Sequence, residues 1–75
     1  MEAWRTYTPD GRMLEVEYVA GEWVAHCGGT RAVGSSALEA ITGAVDSEQA
    51  SIGSIEPTLD AWVAEHAARL ESEAG

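Results

Sequence analysis

The sequence predicts an α+β domain, an antiparallel sheet of three or four strands followed by two helices in the order β-β-β-α-α. Two patterns carry this reading. In the first third of the chain Leu14, Val16 and Tyr18 alternate with Glu15 and Glu17, the period of a strand with one wet face. Beyond Ser36 the apolar residues recur every three or four positions instead, which is the spacing of a helix with one apolar side. The chain has 75 residues and no linker long enough to divide it, so residues 1–75 are expected to form one domain.

Trp4 to Thr8 is rich in aromatic and β-branched residues and reads as the first strand. Pro9-Asp10-Gly11 follows as a turn: Pro presets φ, Asp bonds its own backbone and Gly accepts positive φ. Met13 to Ala20 reads as the second strand and Glu22 to Cys27 as the third, with a tight hairpin turn at Gly21. Trp23, Ala25 and Cys27 share one face of the third strand, and Val24 and His26 the other. Val24 is apolar too, so the pattern alone does not choose the buried face. Gly28-Gly29 interrupts the chain before Thr30 to Val33, a candidate short fourth strand.

Ser36 and Glu39 have the spacing of a helix capping box. The first helix is expected from Ala37 to Val45, with Leu38, Ile41, Val45, Ala37 and Ala44 on its apolar face and Gly43 weakening it modestly. Residues 46–55 read as a loop from their Ser and Gly content, pinned to the core by Ile52 and Ile55. Glu56-Pro57-Thr58 opens the second helix, expected from Thr58 to Glu73, because Pro suits a first helical turn. Its apolar stripe is Leu59, Trp62, Val63, His66, Ala67 and Leu70. Glu65 and Arg69 stand in the favourable i,i+4 order.

Composition excludes several classes of function. A chain this short buries only about 60–65% of its unfolded surface. With three Trp, two Tyr and no Phe, each large ring weighs heavily in the core. The net charge is −9, and the four cations, Arg5, Arg12, Arg31 and Arg69, are dispersed. Phosphate neutralisation needs clustered Lys or Arg, so no direct nucleic-acid binding is expected, nor binding to an anionic membrane. The same field attracts a basic partner. Cys27 is the single cysteine, which fits a reducing compartment. No signal-like or membrane-length apolar run is present, so the expected location is cytoplasmic.

No catalytic or metal-binding constellation stands out. His26 and Cys27 are adjacent in a strand and point to opposite faces, and no metal-ligand spacing is present. No cofactor is implied. Glu15 and Glu17 lie about 7 Å apart on one strand face, a separation that glycosidase carboxylates also use, but a solvated strand face accounts for them. The reading is a non-catalytic protein-binding module. Glu15, Glu17 and Glu22 would supply charge, Trp23 and Trp62 apolar anchors, and His66 a contact on the last helix. Alternatively, Trp62, Val63, His66 and Leu70 would face a second copy in a homodimeric accessory or inhibitor protein. A small enzyme using the strand-face carboxylates is the reading from a different class.

The stretch from Gly21 to Val45, GEWVAHCGGTRAVGSSALEAITGAV, resembles the HicB antitoxin family of HicA–HicB toxin–antitoxin systems. The matching features are the strand Met13 to Ala20, then Gly21, Trp23 and Ala25, then Val33-Gly34, Ser36, Glu39-Ala40 and Ile41. The resemblance covers residues 13–45, a little under half of the chain. It implies a β-β-β-α unit similar to a reduced RNase H-like fold without the catalytic carboxylates. It also implies a role, neutralising a small basic HicA-like ribonuclease toxin. The family's C-terminal DNA-binding module has no counterpart here, where a single acidic helix follows, so DNA-binding autorepression is not expected to carry over.

Overall fold

The structure, a computed structural model, describes residues 2–9, 11–52 and 57–74. It is an α+β fold in which four strands, β1 (Glu2–Tyr7), β2 (Met13–Val19), β3 (Glu22–Cys27) and β4 (Thr30–Gly34), precede two helices, α1 (Ala37–Ile52) and α2 (Pro57–Ala74). The strands form one antiparallel meander in the order β1-β2-β3-β4. The candidate fourth strand is therefore real.

Short turns set the register. Val19 pairs with Glu22, which leaves Ala20-Gly21 as a two-residue turn with φ of 54° and 82°. Two positive φ values are the mark of the type I′ turn, whose twist matches that of the flanking strands. At the β1–β2 turn Thr8 N donates to Arg12 O at 2.8 Å and Gly11 N to Thr8 O at 2.9 Å.

This register decides the face that the pattern of β3 leaves open. Tyr18 pairs with Trp23 and Val16 with Ala25, so Trp23, Ala25 and Cys27 fall on the same side as Leu14 and Val16, and all five are buried. Both helices cover that side. The buried face of α1 consists of Ala37, Ala40, Ile41, Ala44 and Val45, and its three alanines let the helix lie close on β3 and β4. Val63, Ala67 and Leu70 of α2 complete the core. The rings of Trp4 and Trp23 stack with centroids 5.7 Å apart, and Tyr18 tilts onto Trp23 at 4.7 Å.

Ser36 caps α1 as expected, its Oγ accepting from Glu39 N at 3.1 Å. The return arm of the box differs, because the Glu39 carboxylate accepts from the Ser35 hydroxyl at 3.1 Å. A second cap comes from α2, where Glu71 Oε2 accepts from Ala37 N at 2.9 Å. A carboxylate at a helix N-terminus satisfies an orphan amide and complements the dipole.

The loop expected over residues 46–55 is corrected for residues 46–52, which continue α1. Apolar periodicity lapses there, but Glu48, Gln49 and Ala50 are good helix formers and no Gly or Pro intervenes before Gly53. Glu48 also ties the added turns to the sheet, accepting from Thr30 Oγ1 at 2.9 Å. The anchoring expected of Ile52 and Ile55, and the place of Leu59 on the stripe of α2, lie outside the described residues.

Candidate interaction surfaces

Glu15, Glu17 and Glu22 lie on the sheet face that the helices leave uncovered. The register places Arg5 on one side of Glu15 and His26 on the other. Arg5 Nη2 stands 3.6 Å from Glu15 Oε2, and His26 Nε2 is 3.5 Å from Glu17 Oε1. Such exposed pairs add little stability, and the Arg5 guanidinium offsets the charge of Glu15 locally. Arg31 is on this face as well, opposite His26. Three carboxylates therefore share the surface with two arginines, and exposed Tyr7, Met13, Val19 and Val33 separate them. It is a mixed face of acidic, basic and apolar side chains.

The acidity is on the helices. Their sequences hold Glu39, Asp46, Glu48, Asp60, Glu65, Glu71 and Glu73 against Arg69 alone. Four of these carboxylates are engaged by the fold: Glu39, Glu48 and Glu71 as described, and Glu73 by accepting from Trp4 Nε1 at 3.1 Å. Asp46 and Asp60 make no hydrogen bond or ion pair among the described residues. Both line a groove of about 310 Å³ between α1 and α2, together with Leu38, Thr42 and Val63. Leu38, Thr42 and Asp46 follow one another at four-residue spacing along α1, one ridge of the helix. The sequence reading put Leu38 on the buried face with Ile41. The structure turns Leu38 into the mouth of this groove, where it remains 47% exposed.

The sequence-predicted anchors behave differently from one another. Trp23 is only 6% exposed and belongs to the core, so its role as a surface anchor is corrected. Val63, Ala67 and Leu70 are buried against the chain's own sheet and α1, so the apolar stripe of α2 serves its own fold rather than standing free for a second copy. Trp62 is half-buried and stacks on His66 with centroids 4.9 Å apart and planes inclined by 13°. His66 is 5% exposed, deeper than a half-buried helix position. The six residues are not brought together: the glutamates lie on the open sheet face, and Trp62 and His66 in the helical layer behind it.

His66 has a defined protonation state. Arg69 Nη2 lies 3.0 Å from His66 Nδ1. Arginine only donates, so Nδ1 accepts and the proton sits on Nε2. Arg69 thus reaches His66, not the i,i+4 partner Glu65 that the sequence offers. The Nε2 atom is buried without a hydrogen-bond partner among the described residues. Burial lowers the His66 pKa from its ordinary value of 6.5, the Arg69 charge lowers it further, and Glu73 partly opposes both. Below about pH 6.5 the unfolded chain takes up a proton that the folded chain resists, so stability falls with pH. Wild type is expected to lose more stability than His66→Gln between pH 7.5 and 5.5 in urea titrations. Equal losses would show that His66 does not contribute to acid sensitivity.

Cys27 is buried on the inner face and His26 lies on the outer. Among the described residues no three His, Cys, Asp or Glu side chains cluster to hold a metal, and no helix is long and apolar enough to cross a membrane. These features define a class, an α+β domain with a four-stranded meander covered on one face by two acidic helices. No family model matches the chain, and no curated protein or solved structure matches it either.

Proposed function

We propose that this domain is a non-catalytic binding module for a basic protein, in the manner of a HicB-like antitoxin that covers a small basic ribonuclease toxin. The observation that carries the reading is the one-sided charge. The helical layer holds seven carboxylates and one arginine, whereas the open sheet face sets two arginines, Arg5 and Arg31, among its three glutamates. A field of one sign on one side of a small domain steers and orients a partner of the opposite sign. The order β2-β3-β4-α1 over residues 13–45 is also the order that the HicB resemblance implies.

The test is a titration with a HicA-type ribonuclease, read both as complex formation and as inhibition of RNA cleavage. A complex that inhibits cleavage and weakens steeply with added salt is expected. Absence of a complex even at low ionic strength would overturn the toxin-neutralising reading.

A further inference from the structure

We infer that the groove between α1 and α2 is the docking site for a basic amphipathic helix of the partner protein, an inference that rests on the reading of the domain as a module for a basic protein. Three observations converge on the groove. Leu38 is 47% exposed while its neighbours Ala37, Ala40 and Ile41 are fully buried. Val63 supplies apolar wall from the facing helix. Asp46 and Asp60 line the same groove from opposite helices, and no Arg or Lys is among its described lining residues. Asp60 gains something from its place in the first turn of α2 through the helix dipole. Asp46, in the middle of α1, has no such compensation.

Two like charges facing one groove disfavour the empty state and favour a cationic occupant. They also exclude two other occupants. A second copy of the chain would bring the same aspartates against its own acidic helices, and a nucleic acid would be repelled. The groove, about 310 Å³ and open to solvent, is at the small end of the range for ligand pockets, about 300–1,000 Å³. It suits an inserted aliphatic side chain better than an enclosed small molecule.

The spacing indicates what the partner must present. Leu38 and Asp46 are eight residues apart on α1, about 12 Å at 1.5 Å per residue. A helix laid along the ridge meets this with an apolar residue over Leu38 and an Arg or Lys about two turns away, over Asp46 and Asp60. This is helix-in-groove recognition, and arginine is favoured because its fork pairs with carboxylates.

The experiment is an amide-resolved NMR titration of the full chain with a synthetic amphipathic Leu/Arg helical peptide, and with a scrambled peptide of the same composition. The expected result is a set of shift changes centred on Leu38, Thr42, Asp46, Asp60 and Val63, with the scrambled peptide binding more weakly. Affinity is expected to drop at least tenfold in Leu38→Glu and in Asp46→Asn/Asp60→Asn, and to hold in Val33→Thr, a substitution on the open sheet face. Circular dichroism of each variant checks that it is folded, which the exposure of these side chains favours. Shift changes on the sheet face, equal binding of the scrambled peptide, or unchanged affinity in both groove variants would overturn the groove and leave the basic-partner reading standing. Failure of both peptides and of the HicA-type ribonuclease to bind at low salt would overturn both.

Discussion

Trp23→Ala is expected to destabilise the domain by about 4 kcal/mol, the cost of removing a large buried ring and leaving a cavity behind it. Domains are stable by roughly 0.05–0.15 kcal/mol per residue, so a chain of 75 residues has little to spare. Trp23 is where the sheet meets the helical layer. Its ring stacks on Trp4 of β1 and touches Tyr18 of β2, and it lines an open groove with Glu71 and Ala74 of the C-terminal end of α2. Losing the ring therefore loosens two strands and the last turn of α2 together. Urea unfolding followed by circular dichroism measures the loss. Trp23→Phe, which keeps an aromatic face for Trp4 and Tyr18, is expected to recover a good part of it. A loss under about 1 kcal/mol for Trp23→Ala, the size of an ordinary substitution, would show that the cluster does not hold the layers together. Partner binding by any Trp23→Ala protein that remains folded should be unchanged, because the ring is almost wholly buried.

The strands were legible because alternation and turn residues agree at every junction. The two hairpins even contain the register. A turn centred on Ala20-Gly21 sets His26 opposite Glu15, and the β1–β2 pairing sets Arg5 beside the same glutamate. That pairing places Arg5 and His26, both distant in sequence, beside the glutamates of β2. Grouping the glutamates by adjacency along one strand concealed these neighbours. The C-terminal half of α1 was not legible, because its residues favour a helix by propensity without marking an apolar face, and its tie to the sheet through Glu48 and Thr30 is a tertiary contact. The groove was hidden for a related reason. Whether Leu38 points inward or outward depends on how α1 is rotated on the sheet and where α2 lies beside it, and helical spacing alone admits either.

Gly34 is what fixes that rotation, and Gly34→Ala is expected to cost about 2–3 kcal/mol, in the range of a core forced to accept extra volume. A Cβ at Gly34 would stand 2.8 Å from Ala40 N and 2.8 Å from Glu39 Cβ. One of these is backbone in the first turns of α1, so a side-chain rotation cannot relieve the overlap. The helix start must move off β4. Residues 35–39 carry the cap made by Ser36, the second cap from Glu71 to Ala37 N, and Leu38 at the groove mouth, so all three shift with it. The requirement for glycine there is steric: a side chain at this position meets the start of the helix. Urea unfolding should show the stability loss, and the amide shifts of Ser36 to Ile41 should move even in native buffer. Binding of the basic helical peptide should weaken in the fraction that remains folded, because the ridge of Leu38, Thr42 and Asp46 is displaced relative to Asp60 and Val63. If Gly34→Ala were as stable as wild type, with the shifts of α1 unmoved, the close approach of β4 and α1 would not be what sets the groove.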